Sequence, residues 1–163
     1  MDTRSSVKDN NLNALAKAMS DQTLFGKIIA GEIPSHRVGS GKDWYAFLDI
    51  FPRRDGHTLV IPHRQVANLQ QLTDDEIASL FLGVKQVQMK LSMVFDTTDF
   101  TICLHDGPLA GQEVPHVHVH VIPRTLGDGG KTLMAMWPNA EIIGEPNHGN
   151  LSTLAQKLSE VEL

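Results

Sequence analysis

Residues His116 to Arg124, HVHVHVIPR, alternate three histidines with three valines. Successive residues of a β-strand point to opposite faces, so His116, His118 and His120 share one side and Val117, Val119 and Val121 the other. The valine side suits a hydrophobic core. The histidine side does not, because imidazoles in a row lose hydration and repel one another when protonated. Two kinds of chemistry give such a row a purpose. In one, His-x-His offers two nitrogens to a metal ion and a further ligand completes a catalytic zinc site. In the other, a neutral imidazole attacks a phosphorus atom while its neighbours hydrogen-bond the phosphoryl oxygens. The metal reading wants further ligands and hydrogen-bonded supporting groups. The phosphate reading wants backbone N–H groups from a glycine-rich loop, and DGPLAGQEV (residues 106–114) lies immediately upstream. The phosphate reading therefore carries more weight.

The strand needs a scaffold, and the rest of the chain supplies its elements. LFGKIIAGEIP, from Leu24, predicts a short apolar helix ended by Gly31 and Pro34. HRVGSGKDWYAFLDI (36–50) predicts two strands around a Gly-Ser-Gly-Lys turn, with Val38 in the first and Trp44, Ala46 and Leu48 alternating in the second. FPRRDGH is a loop, and HTLVIPH a strand with a buried Leu59-Val60-Ile61 centre. Thr73 and Glu76 form a capping box before a long helix. Its apolar face carries Ile77, Leu80, Phe81, Val84, Val87, Leu91 and Val94, and packs on the core; Gly83 weakens the helix slightly. DFTICLH is a further strand that makes Cys103 a small core residue, and the histidine strand follows the glycine-rich connection. Short connections between strands favour antiparallel pairing. The expected class is α+β, with a sheet of about five antiparallel strands, one long helix and one short helix. Residues 1–21 read as a flexible extension, 22–126 as the domain, and 127–163 as a tail with a terminal helix in LSTLAQKLSEVEL.

Composition narrows the function classes. The chain has 163 residues, 41% of them apolar, and a net charge of −5. An acidic balance speaks against a dedicated nucleic-acid binder. The single cysteine, Cys103, excludes an internal disulfide and a cysteine-rich zinc module. No apolar run approaches the roughly 20 residues that span a bilayer, so no membrane role is expected. The start of the chain has no apolar secretory core. A cytoplasmic protein is the expectation.

GQEVPHVHVHVIPR resembles the signature of the histidine-triad family of nucleotide hydrolases and transferases. LFGKIIAGEIP, AFLDIFPRRDGHTLVIP and the long helix stand in the same order and spacing, so the likeness covers Thr23 to Arg124. The resemblance implies that His118 attacks the α-phosphorus of a nucleotide and forms a nucleotidyl-histidine that water then hydrolyses. It implies that His120 hydrogen-bonds a non-bridging oxygen, and that His116 and His57 belong to the supporting network. Asp49 falls where a carboxylate holds the ribose hydroxyls. Leu24, Phe25, Ile28, Phe47 and Leu59 fall where the base pocket is lined. Gln112 and the backbone of Glu113 and Val114 fall on the loop around the α-phosphate.

Two positions depart from the family pattern. Glu113 stands where a hydroxyl residue is common, and His105 where an amide is common. Both bear on the leaving group. The implied substrates are a purine nucleoside phosphoramidate or a dinucleoside polyphosphate. The resemblance implies no cofactor and no structural metal. It also implies a homodimer with one continuous sheet, in which Trp137 approaches the partner's site. Two other readings remain: a nucleotide-binding sensor or scaffold with little turnover, and a zinc hydrolase that uses the three histidines as ligands. His36, His63 and His148 read as surface residues.

Overall fold

The computed structural model describes residues 22–131 and 147–161. The N-terminal extension and Trp137 lie outside the described residues. The chain divides into a unit ending at Asp128 and a second beginning at Gly129.

The first unit is built on a five-stranded antiparallel sheet in the order β1-β2-β3-β5-β4. Its strands are β1 (Arg37–Ser40), β2 (Trp44–Leu48), β3 (Thr58–Pro62), β4 (Phe100–Leu104) and β5 (Val119–Pro123). A short helix α1 (Leu24–Ile29) precedes them, and the long helix α2 (Asp74–Phe95) joins β3 to β4. This is the expected α+β class. Thr73 caps α2, its hydroxyl accepting from Glu76 N–H while the Glu76 carboxylate accepts from Thr73 N–H at 2.8 Å.

Register sets the two faces of the sheet. Phe47, Leu59, His120 and Cys103 stand abreast on four successive strands, and so do Ala46, Val60, Val119 and Leu104. The second row faces α2. There Trp44, Ala46, Val60, Val117, Val119 and Val121 pack with Leu80, Val84, Val87 and Leu91 of the helix. The first row lies on the opposite face, where Phe25, Phe47, Leu59 and Ile61 form a smaller cluster. The histidines therefore stand on the face that the long helix leaves open, anchored from behind by their valine neighbours.

Four local differences from the sequence reading have physical causes. Phe81 and Val94 do not join the core; they are 47% and 75% exposed. Gly83 is buried in that helix because the Trp44 ring lies against it: a Cβ there would fall 2.5 Å from Trp44 Cδ2. Cys103 is only half-buried, standing on the histidine face of an edge strand. The histidine segment is laddered only from Val119 onwards, since Val117 N–H bonds Val66 O at 2.8 Å, outside the sheet.

The second unit contains α3 (His148–Ser159), capped by Asn147, whose side chain accepts from Asn150 N–H at 3.0 Å. The helix begins three residues before the expected LSTLAQ segment. Among the described residues, no helix is long and apolar enough to cross a membrane.

Candidate functional site

His116 is the most enclosed of the histidines, with no exposed surface. Its Nε2 lies 2.9 Å from Pro62 O. A carbonyl oxygen only accepts, so Nε2 carries the proton and Nδ1 has the lone pair. Nδ1 in turn lies 2.9 Å from Thr23 Oγ1. Both ring nitrogens are thus committed within the fold.

His118 is oriented by the same logic. Its Nδ1 lies 2.7 Å from His116 O. The proton sits on Nδ1, and Nε2 is left as an unprotonated nitrogen. The Phe25 ring meets His118 edge-on at 5.2 Å between centroids, and His120 does so at 5.0 Å. Burial, the larger influence, pushes the His118 imidazole below its usual pKa despite the bond to the His116 carbonyl.

His120 and His57 form a pair, His57 Nε2 lying 2.9 Å from His120 Nδ1. Arg53 N–H donates to His57 Nδ1 at 3.2 Å. That makes His57 Nδ1 the acceptor, so Nε2–H donates to His120 Nδ1 and His120 keeps its own proton on Nε2. Asp49 Oδ2 is 3.5 Å from His57 Nδ1; the Arg53 bond already uses that lone pair, so the carboxylate acts on His57 through its field. Asp49 Oδ1 accepts Phe51 N–H at 2.9 Å, which holds the side chain at the head of the 49–57 loop. Burial lowers the affinity of His57 for a proton, with Asp49 opposing. His116 shifts the same way for the same reason. His120 is pushed down to about 4, by burial first and then by His118, His57 and His105. The whole cluster is neutral near pH 7.

The glycine-rich connection wraps this row. Gly107 and Gly111 take φ of 100° and 93°, values that side chains rarely adopt. Ala110, Gly111 and Gln112 spend their N–H groups inside the turn, on Gly107 O and Pro108 O. Among the described residues nothing accepts from the N–H groups of Glu113 and Val114, two residues short of His116. The Gln112 side chain donates to Ala67 O at 2.7 Å and pins the loop to the segment before α2. Asp106 does the same through Leu69 N–H at 2.9 Å. His105 Nδ1–H donates to Gly111 O at 3.3 Å, and its ring is 5.7 Å from that of His120. Glu113 is exposed.

The expected base-pocket residues divide. Phe25, Phe47 and Leu59 are buried in one cluster with Ile28 and Val114 packed against it, while Leu24 is 48% exposed. His36, His63 and His148 are exposed. Sequence reading overlooked Thr23, whose hydroxyl bond to His116 spans 93 positions and leaves no local signal. It also overlooked Asp128, which accepts from Arg124 Nε at 2.7 Å and Arg54 Nη1 at 2.6 Å and so ties the 49–57 loop to the end of β5.

A zinc site made of the three alternating histidines does not fit these bonds, since His116 has no free nitrogen. Among the described residues one group, Asp49, His57 and His120, brings possible ligand atoms within 4.8 Å of one another. Its two imidazoles face each other across a hydrogen bond, so a proton holds the place a cation would need. The donor set acts as a chain of oriented imidazoles, one ending in a bare nitrogen and the next in an N–H.

Comparison with known proteins finds relatives in sequence and in fold. The HIT domain matches residues 30–126. The bis(5'-nucleosyl)-tetraphosphatase (asymmetrical) of Schizosaccharomyces pombe is 39% identical over 83% of this chain and 70% of its own length. The adenosine 5'-monophosphoramidase of Saccharomyces cerevisiae is 37% identical over 72% of this chain and 71% of its own. The crystal structure of a member of the HIT family from Bacillus subtilis superimposes with a TM-score of 0.75 at 31% identity, covering 88% of this chain and 99% of that one.

Proposed function

Because this chain belongs to the HIT domain family, we propose that it is a nucleotide hydrolase that cleaves at an α-phosphate through a nucleotidyl-histidine on His118. One observation carries the reading: the 2.7 Å bond from His118 Nδ1 to His116 O, which leaves Nε2 as a fixed, unprotonated nucleophile. In the first step the Nε2–phosphorus bond forms as the bond to the leaving group breaks. A nucleotide leaves as its anion, whereas an amine leaves with a proton taken from solvent. His120 Nε2–H donates to a non-bridging oxygen, held in that tautomer by His57 and Arg53 N–H. The N–H groups of Glu113 and Val114 face the same phosphate. In the second step a water oxygen bonds phosphorus, the N–P bond breaks, and the water proton is lost to solvent.

Phe25, Phe47, Leu59 and Ile28 hold the purine, and Asp49 lies at the ribose side. The two relatives named above act, by their names, on dinucleoside tetraphosphates and on adenosine phosphoramidate, and both substrate classes suit the site. His105 and the exposed Glu113 flank the leaving-group side. A panel of purine nucleoside phosphoramidates and dinucleoside polyphosphates, compared by kcat/KM, decides between the classes. Turnover of one class at the expense of the other fixes the substrate; tight binding with no turnover of any would make the protein a sensor.

The working unit is a homodimer. Phe81, Leu82, Met89 and Met93 leave an apolar stripe exposed on α2, and among the described residues β4 is an edge strand. A second copy covers both. Residues 22–126 are the catalytic domain, and the one free thiol, Cys103, suits the reducing cytoplasm.

A further inference from the structure

Thr23 joins two parts of the site that the substrate contacts separately. Its hydroxyl oxygen accepts Gly26 N–H at 3.0 Å and so caps α1. The same oxygen lies 2.9 Å from His116 Nδ1. Since His116 Nε2–H is spent on Pro62 O, Nδ1 is an acceptor and the Thr23 hydroxyl proton points to it. His116 is clamped at both ends, and its main-chain carbonyl is the group that holds the His118 tautomer. The helix that Thr23 caps also carries Phe25, whose ring lies 5.2 Å from His118 and 5.9 Å from His116.

We propose that Thr23 is a positioning residue for the transfer step: its hydroxyl locks His116, and through the His116 carbonyl the His118 ring, to the helix that lines the base pocket. Base binding and nucleophile alignment are then one event, and contacts remote from the phosphorus act on kcat as well as on binding. The kinetic part of this inference rests on the reading of His118 as nucleophile; the structural part does not.

Three substitutions separate the hydroxyl's two jobs. Thr23→Ser keeps both cap and donor. Thr23→Asp keeps a good cap acceptor but has no proton to give His116. Thr23→Val removes both. Each is assayed for kcat and KM on the best nucleotide of the panel, for thermal unfolding, and for the ring-nitrogen NMR resonances of His116. Thr23→Ser should match the parent. Thr23→Asp should keep its melting temperature yet lose roughly ten- to a hundredfold in kcat, with KM changed less. Its His116 ring-nitrogen resonances should move, because Nδ1 loses the hydroxyl proton that it accepts in the parent. Parent-like kcat in Thr23→Asp would reduce Thr23 to a helix cap and overturn the proposal. Unmoved His116 resonances in that variant would overturn it as well, with no substrate needed. Absence of turnover by the parent chain would count against the nucleotide-hydrolase reading alone.

Discussion

Acid should destabilise this protein well above the pH at which carboxylates titrate, and His120 should be a main cause. Its folded pKa of about 4 lies below the ordinary histidine value of 6.5. At pH 7.5 the ring is neutral in both the folded and the unfolded chain, so its environment carries no penalty. As pH falls below 6.5 the unfolded chain takes up a proton that the folded chain refuses, and stability drops until the pH reaches the folded value. Between pH 7.5 and 5 the two titration curves differ by about 2 kcal/mol for this one ring. That figure is a ceiling, because the ring is partly exposed. His57, His116 and His118 move in the same direction.

Glu76, held at about 2 by its hydrogen bonds with Arg64 and with Thr73, acts only below its own 4.5, so a window above pH 5 excludes it. Urea unfolding at half-unit steps from pH 7.5 to 5 measures the slope. His120→Asn keeps an acceptor for His57 Nε2–H and removes the titrating ring. It should flatten the parent's loss over this window by up to about 2 kcal/mol. A variant that loses stability on acidification as steeply as the parent would refute the reasoning, because the strain of keeping His120 neutral would then be absent.

Two further expectations follow from packing. Gly83→Ala, which in an exposed helix stabilises by about 1 kcal/mol, should here destabilise by roughly 1–3 kcal/mol, since the new Cβ meets the Trp44 ring at 2.5 Å; chemical denaturation reads the sign, and a gain in stability would show that Trp44 is free to move. Met93→Glu, at a side chain 81% exposed in the described unit, should leave the fold intact and convert a dimer to a monomer in sedimentation velocity; a parent chain that already sediments as a monomer would remove the dimer from the account.

The fold was legible because its strongest signals are periodic and local. Alternation in the histidine segment, the capping box at Thr73 and the helical spacing from Ile77 to Leu91 each state a geometry within a few residues. The misses are long-range. Phe81 and Val94 carry the same periodic signal as Leu80 and Val87, and nothing local says that the apolar stripe of α2 is wider than the sheet beneath it. Gly83 reads as a weak point in a helix until Trp44, from another strand, is placed against it. In the site, the row of histidines announced itself, whereas the partners that set each tautomer did not. Three are backbone groups, Pro62 O, His116 O and Arg53 N–H, which sequence does not mark. The fourth, Thr23, lies 93 positions from the ring it touches.

The central claim is that the bare nitrogen of His118 takes the nucleotide before water does. Rapid quenching of the protein during turnover of its best nucleotide, under alkaline conditions that spare a nitrogen–phosphorus bond, followed by mass mapping, tests it directly. The expected result is one nucleoside monophosphate on the peptide bearing His118, forming and decaying at rates that account for turnover. Full turnover with no protein-bound nucleotide, or with the nucleotide on another residue, would contradict it.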